Sequence, residues 1–501
     1  MKKIALISVS DKTGLAEFAR GLAKINFKIL STGGTFDFLR RNKIAATRVE
    51  DITQFPEILG GRVKTLHPKI FGGILARDSK KDSAELARFD IPKIDLVAVN
   101  LYPFEKTIAQ KKVRFENAIE NIDIGGVALL RAAAKNFASV VVISNPEKYS
   151  AVLEKLKKGI SKIERQKLAA ESFAETQKYD AAIANFLGAE GGLPVFEFQK
   201  NLRYGENPHQ SASLFHEIGN SSSCLANAEI LGGKELSFNN LVDADFAIRI
   251  PFDFKKPTAA IIKHANPCGV ASDSAISGAL EKALGADKKS PFGGIIAVNR
   301  PVDRQCAELI RNIFLELVIA PSFEKDAFAI LRKKKNLRLL AIGDFKNDPD
   351  ELDFKKIGGG VLVQKRDTRI VDAKNLKIAT KRPPTAGQIS DLIFAAKVCK
   401  HAKSNSIVVA KNGVAVGIGA GQTARVDAVE IALAKAGTRA SGAVLASDAF
   451  FPFPDSVEVA AKNGIAAIIQ PGGSIRDSES IAAADRENVA MVFSGVRGFK
   501  H

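Results

Sequence analysis

The sequence predicts an α/β protein of two domains, the second of them internally duplicated. Three observations carry that expectation. Residues 3 to 145 alternate short apolar, β-rich runs with amphipathic stretches, the pattern of a mostly parallel sheet with helices on its faces. The stretch from Leu187 to Phe198, with Gly188, Gly191, Gly192 and Pro194, breaks that periodicity and reads as a domain junction. Residues 200 to 330 and 385 to 495 then share a rhythm of strand, polar turn and helix.

In the first domain the strand KIALISVS leads through Ser10-Asp11-Lys12-Thr13-Gly14 into a helix reaching about Ile25. A second unit repeats the plan: strand Phe27 to Leu30, the turn Ser31-Thr32-Gly33-Gly34-Thr35, then a helix from Phe36 to Arg41. Small hydroxyl and glycine residues opening a helix leave its first N–H groups free to cradle a phosphate. Serine and threonine also simply cap helices, so two such turns on neighbouring strands weigh more than either alone. Neither is a Walker A loop, because the upstream glycine spacing is missing.

Gly60-Gly61-Arg62-Val63-Lys64-Thr65 allows close backbone approach, and Arg62 and Lys64, two residues apart on an extended segment, would clamp an anion from one side. The bland alternative is a solvated basic loop. A strand from Asp95 to Val99 ends in Asn100-Leu101-Tyr102-Pro103-Phe104, and Asn121-Ile122-Asp123-Ile124-Gly125-Gly126 opens a helix carrying Arg131 and Lys135. A carboxylate, a phenol and several cations at strand ends suit acid–base chemistry on a phosphorylated ligand. Helices follow over 147 to 157 and 160 to 186.

The second domain turns on Pro257 to Val270, PTAAIIKHANPCGV. Its apolar run reads as a buried strand that delivers Lys263 and His264 to its carboxyl end, with Ala265-Asn266-Pro267-Cys268-Gly269 as the turn. Lysine–histidine pairs at strand ends are commonly just solvated. Zinc deaminases carry H-x-E and then P-C-x-x-C, but here Asn266 and Ala271 occupy the Glu and second Cys positions, so zinc has too few ligands. What remains is metal-free proton transfer, or no chemistry at all. Farther on come Ser290-Pro291-Phe292-Gly293-Gly294 before strand Ile295 to Val298, Glu316 before an apolar strand, a helix from Ser390 to about His401, and Ser404-Asn405-Ser406. A Lys411-Asn412-Gly413 hairpin turn separates strands Ile407 to Ala410 and Val414 to Ile418. The loop Phe450-Phe451-Pro452-Phe453 could hold a flat heterocycle or plug an interface, and the apolar approach Val489 to Phe493 implies a docked terminus.

Composition narrows the partners. The 501 residues, 46% hydrophobic and 26% charged, are those of an ordinary globular protein. Met1-Lys2-Lys3 runs straight into a strand without a signal segment, and no apolar run matches a membrane span. Four widely spaced cysteines argue against disulfides and a cysteine metal site. A cytoplasmic location is expected. The net charge of +18 favours anionic partners; with the cations dispersed and no base-reading motif present, small anions are preferred over nucleic acid, and a generally lysine-rich proteome is the bland reading.

The ordered set SVSDKTGL, STGGT, GGRVKTLHP, NLYPF, IDIGG, LLRAAAKN, RYGENPHQ, KHANPCG, SNSI, AKNG, GIGAGQ, SDAFFPF and PGGSIRD closely resembles, over essentially the whole chain, the bifunctional family that joins AICAR formyltransferase to IMP cyclohydrolase. The resemblance implies a methylglyoxal-synthase-like parallel-sheet domain over 1–190 with a helical extension. It implies a tandem cytidine-deaminase-like α/β domain without zinc over 197–501, divided at about 375/376. It also implies the last two steps of purine nucleotide synthesis: formyl transfer from 10-formyltetrahydrofolate to AICAR, then dehydrating cyclisation of formyl-AICAR to IMP.

By resemblance, cyclisation uses Lys64, Tyr102, Asp123 and Lys135, with the substrate against Ser10, Lys12, Ser31, Gly33, Gly34, Thr35, Arg62, Thr65, Gly125 and Gly126. Formyl transfer uses Lys263, His264 and Asn405. Arg203, Tyr204, Asn240, Gly293, Glu316 and His501 match AICAR-site positions, and Phe450, Pro452 and Phe453 the folate pocket. A homodimer is implied, no catalytic metal is expected, room is left for a monovalent cation, and neither nucleic acid nor membrane is expected as a partner. Gly498 stands where bacterial relatives often have a histidine, and Thr423-Ala424 also departs from the family. Two alternatives stay open: a basic nucleic-acid-binding protein, and a cyclohydrolase whose other site has decayed.

Overall fold

The computed structural model describes residues 2–108, 113–188, 193–218, 220 and 222–501. Gly191 and Gly192 of the expected junction lie outside the described residues. Strand β1 (Lys3–Val9) is the middle of a five-stranded sheet completed by β2 (Phe27–Ser31), β3 (Thr47–Arg48), β4 (Leu96–Asn100) and β5 (Val141–Ile143), in the order β3-β2-β1-β4-β5. Every pairing is parallel. Leu6, Ile7, Val97 and Ala98 have no exposed surface, because helices cover both faces of such a sheet and its strands read as continuous apolar runs.

This sheet belongs to a unit of Met1–Glu197 with Glu217–Asn220; a second unit holds Phe198–His216 with Ser221–His501. In the first unit the helix expected from Phe36 starts at Gly33. The N–H groups of Thr35 and Phe36 both bond the Thr32 carbonyl, drawing the glycine turn into the first helical turn. The long helix is Lys162–Phe186, opened by a Ser161–Glu164 capping box.

The remaining strands are β6 (Phe196–Leu202), β7 (Ala212–Glu217), β8 (Glu229–Gly232), β9 (Thr258–Lys263), β10 (Asn266–Ser272), β11 (Ile295–Val298), β12 (Leu317–Ala320), β13 (Arg338–Ala341), β14 (Leu352–Ile357), β15 (Gly360–Lys365), β16 (Lys377–Ile378), β17 (Ile407–Lys411), β18 (Val414–Gly419), β19 (Val444–Ser447), β20 (Ala467–Gln470) and β21 (Ala490–Phe493). Twelve of them form one sheet in the order β16-β21-β20-β19-β17-β18-β10-β9-β11-β12-β13-β8, while β6–β7 and β14–β15 are two-stranded. The order is a palindrome of two six-stranded halves, joined where β10 meets β18 antiparallel at Ala271 and Val414.

The duplication extends to single bonds. Gly343 N–H donates to the Pro321 carbonyl at 3.1 Å, and Gly495 N–H to the Pro471 carbonyl at 3.1 Å. Lys263 Nζ caps the Phe292 carbonyl at 2.9 Å, and Lys411 Nζ caps the Ser441 carbonyl at 2.7 Å. A Cβ on Gly269 would come within 2.3 Å of the Ala283 carbonyl, and one on Gly417 within 2.0 Å of the Ala432 carbonyl, so each half needs glycine where its next helix crosses the strand. Alternation sorts the sheet: Ala260 and Ile262 share a core with Val408 and Ala410 beneath the helices Phe238–Arg249 and Ala386–Cys399. Ile261 and Val409 face two separate cores on the other side.

Two expected boundaries shift. Ala265 to Gly269 is not the turn: the chain reverses at His264 and Ala265, both left-handed (φ 51° and 57°), the conformation a two-residue hairpin loop requires. Asn266 already pairs with Lys263, and Pro267 is accommodated where the register slips before Gly269. The helix expected from Ser390 spans Ala386–Cys399, because Thr385 and Gln388 form a capping box four residues earlier. Among the described residues, no helix is long and apolar enough to cross a membrane.

Two candidate active sites

In the first unit Asp123 is the central group. Its Oδ1 accepts the Gly126 N–H at 2.7 Å. Burial pushes its carboxyl above the usual carboxylate range, opposed by the N–H groups of Gly126 and Tyr102 and by the Lys64 charge. A Cβ at Gly126 would lie 2.4 Å from Asp123 Oδ2, and one at Gly125 3.0 Å from Thr65 Oγ1. The glycine pair therefore lets a carboxylate and a buried threonine close on a helix start. Lys64 Nζ pairs with Glu57 at 3.2 Å and lies 3.8 Å from where a Gly33 Cβ would sit, so it connects the Asp123 side with the glycine turn. Tyr102 is half exposed.

The expected anion cradle is built mainly of backbone. Asn100 Oδ1 accepts the N–H groups of Ser10 (2.6 Å) and Asp11 (2.8 Å), and Lys12 Nζ donates to the Ser10 carbonyl at 3.3 Å. Ser31 is fully buried and spends its hydroxyl on the Ile7 carbonyl at 2.8 Å. Thr35 Oγ1 both accepts from and donates to the Val9 backbone at 3.0 Å. These two hydroxyls are engaged by the backbone and shape the turn. The helix Gly33–Arg41 has no side-chain cap at its start, the geometry an anion cradle requires.

Two expectations need correction. Arg62 does not share an extended face with Lys64: Leu59–Gly61 forms a short 3₁₀ turn, and Arg62 is an exposed partner of Glu120. Lys135 is not gathered with Asp123. It ends the helix Gly125–Lys135, about 15 Å along the axis from the start, and lines a separate cleft of about 630 Å³ with Leu75, Arg131, Phe137 and Phe173. Sequence reading missed Asn100 and Glu57 as partners, and Tyr179, whose hydroxyl accepts the Asp123 N–H at 2.8 Å.

In the second unit one edge of the twelve-stranded sheet collects the end of β9, the starts of β10 and β17, and the ends of β18 and β19. Lys263 closes β9 with its ammonium on the Phe292 carbonyl, and His264 stands exposed at the tip of the hairpin. Asp243 Oδ1 accepts the Ala265 N–H at 2.7 Å, and Lys403 N–H donates to Asn266 Oδ1 at 3.1 Å. Asn405 is saturated within the chain. Its Nδ2 donates to the carbonyls of Gln422 (2.9 Å) and Thr423 (3.0 Å), and its Oδ1 accepts from Arg425 at 2.6 Å. Arg425 also pairs with buried Asp448, which accepts the Ser404 hydroxyl at 2.6 Å.

The other expected substrate positions divide into structural and open groups. Asn240 is buried as part of the Ser237 capping box. Glu316 pairs with Arg338 at 2.6 Å. Gly293 has φ 72° and donates its N–H to the Phe314 carbonyl. Arg203 lies over the Tyr204 ring, 4.7 Å from its centre. Phe450 and Phe453 are exposed beside half-buried Pro452, Arg476 lies 4.8 Å over Phe453, and Phe451 between them is fully buried.

The terminus is docked. Ser404 and Lys500 exchange two hydrogen bonds, and buried Gly498 donates its N–H to the Asp448 carbonyl. His501 is exposed, with its carbonyl accepting from Lys355. Burial, reinforced by Arg249, Arg366 and Lys400 and opposed by Asp245, pushes Lys500 down to about 8. Burial pushes the Cys268 thiol up to about 12, which argues against a thiolate nucleophile beside the hairpin. Among the described residues no group of three or more His, Cys, Asp or Glu side chains could hold a metal ion.

Comparison with known proteins decides the family. The profile described as AICARFT/IMPCHase bienzyme matches residues 133–435, and the MGS-like domain matches residues 14–128. The chain belongs to this bienzyme family. It is 50% identical over 511 residues to the bifunctional purine biosynthesis protein PurH of Thermoanaerobacter sp. (strain X514), and 51% over 514 residues to that of Acetivibrio thermocellus, covering 100% of each pair. The crystal structure of ForH is 37% identical, over 38% of this chain and 98% of its own, with a TM-score of 0.35. As a member, the chain is a bifunctional enzyme of the final two steps of purine biosynthesis, AICAR formyltransferase joined to IMP cyclohydrolase.

Proposed function

We propose that the two steps are divided between the two units: cyclisation at Asp123 in the first, formyl transfer at the Lys263–His264 hairpin in the second. The reading is supported by the placement of Lys64, Tyr102 and Asp123 in the first unit and of Lys263, His264 and Asn405 in the second. For cyclisation, the Asp123 carboxylate takes a proton from the substrate's carboxamide nitrogen as that nitrogen bonds the formyl carbon. Lys64 stabilises charge on the formyl oxygen, which leaves as water, and Tyr102 assists the proton transfers. The 5′-phosphate sits at Gly33 and Gly34 with Lys12 and Thr65 nearby.

For formyl transfer the donor is 10-formyltetrahydrofolate, against Phe450, Pro452 and Phe453. The AICAR amine is a weak nucleophile, because its lone pair is delocalised into the imidazole and carboxamide. His264, acting with that carboxamide, removes its proton during attack. Lys263 has two ammonium hydrogens beyond the one on Phe292, and these serve the tetrahedral oxyanion or the departing folate nitrogen. Asn405 holds the formyl oxygen by exchanging one of its carbonyl partners. AICAR contacts Arg203, Tyr204, Gly293, Glu316 and His501, and the second unit works as a tandem cytidine-deaminase-like fold in a cytoplasmic homodimer. An absorbance assay with AICAR and the folate donor tests the reading: IMP formation supports it, and no turnover of either substrate by folded protein would refute it.

A further inference from the structure

Loops bearing Tyr102 and Asp123 meet one face of the long helix Lys162–Phe186. On that face Tyr179 is buried. Its hydroxyl accepts the backbone N–H of Asp123 at 2.8 Å and donates to the carbonyl of Asn121 at 3.1 Å. Its ring meets the edge of Phe104, which follows Tyr102 by two residues, with centroids 6.1 Å apart. Next to it, Lys178 reaches Glu105 of the same loop at 3.7 Å. Burial pushes the phenol up to about 12, so it stays protonated and keeps both bonds.

We infer that Tyr179 is a positioning residue for the cyclisation step, stapling the Asn121–Gly126 loop so that the Asp123 carboxylate is held against Tyr102 and the helix start at Gly126. This rests on the reading of Asp123 given above. Asp123 has little freedom to find its place otherwise. Its backbone N–H is held by the phenol, its Oδ1 by the Gly126 N–H, and the Tyr102 N–H also donates to the carboxyl, so these bonds together define where the second oxygen points. Losing the hydroxyl leaves the Asp123 N–H and the Asn121 carbonyl without that partner in a part-buried setting, and the loop relaxes to recover hydrogen bonds. A proton acceptor displaced by about 1 Å loses on the order of a hundredfold in rate.

The test is Tyr179→Phe in the full chain, with formyl-AICAR supplied directly. The expected result is a 10- to 100-fold lower kcat for cyclisation, about the cost of such a displacement. KM should change less than about threefold, and formyl transfer by the same protein should be unchanged. Phe186→Leu loosens the same aromatic cluster, since Phe186 packs on Phe104 at 5.6 Å, but keeps the hydroxyl; it should lower the melting temperature and leave kcat in place. Unchanged kcat in Tyr179→Phe, or equal kcat losses in both variants, overturns the inference. Asp123→Asn separates the two levels: if it cyclises normally, the assignment of Asp123 fails first, whereas an inactive Asp123→Asn beside a fully active Tyr179→Phe removes only the staple.

Discussion

The side-chain oxygen of Asn266 accepts the backbone N–H of Lys403 at 3.1 Å, tying the hairpin of one half of the second unit to the loop before Asn405 in the other. Asn266 Nδ2 also donates to the His264 carbonyl at 3.3 Å. One amide thus spans the two sequence repeats that carry His264 and Asn405. Asn266→Ala should lower formyl transfer by up to about thirtyfold, since one such bond is worth about 1 kcal/mol and two are lost, with cyclisation unchanged. Steady-state rates for both steps on one preparation check this.

Asp123→Asn should abolish cyclisation and raise stability at neutral pH. The carboxyl is pushed up by burial, so its ionised form destabilises the native state. A raised carboxyl favours the folded protein only while it is protonated, and that benefit disappears as pH climbs through the folded-state value. The melting temperature gained by the variant should therefore be largest at pH 7–8 and shrink toward pH 4. Each kcal/mol corresponds to about 2–4 °C for a unit of this size. Thermal melts across that range measure it.

Arg425 and Asp448 form a buried pair, with 6% and 0% of their side chains exposed. Arg425→Met leaves a buried carboxylate without its cation and should cost about 3–5 kcal/mol. Adding Asp448→Leu should recover a large part of that loss. Urea unfolding of the single and double variants decides between charge pairing and simple packing.

His401 and Asp253 give the second unit an acid-sensitive joint. The His401 ring donates to Asp253 at 2.7 Å, while Lys400 pairs with the same carboxylate at 2.8 Å. Burial pushes His401 down to about 4 despite Asp253 beside it, and its hydrogen bonds and cationic neighbours hold Asp253 at about 2 against the burial that would raise it. Both values are depressed, so both groups stabilise the fold at neutral pH. The His401 share is lost as pH falls from about 6.5 to 4, at up to about 1.4 kcal/mol per pH unit, and the Asp253 share below that. His401→Gln should flatten the loss of melting temperature between pH 6.5 and 4.

The parallel sheet of the first unit was legible because its strands are apolar on both faces. The duplication was visible as a rhythm, though its palindromic strand order depends on one β10–β18 pairing that no local pattern encodes. The hairpin was misplaced because asparagine, proline and glycine usually mark turns, while here a histidine and an alanine take the left-handed positions and the proline sits at a bulge. Lys135 and Tyr179 show the same limit from opposite sides. A helix carries Lys135 away from residues close to it in sequence, and another brings Tyr179 back to a loop 56 residues earlier. Asn405 stood out only through the family resemblance, and its saturation by Gln422, Thr423 and Arg425 was not legible at all.

Two chemically separate centres in one chain can be tested by crossing substrates with variants. Lys263→Ala given formyl-AICAR should make IMP at the parent rate while failing on AICAR with the folate donor. Asp123→Asn should convert AICAR and donor to formyl-AICAR that accumulates. Chromatographic quantitation of AICAR, formyl-AICAR and IMP with both folded variants reads the result, and parallel loss of both steps in either one would contradict the division of labour.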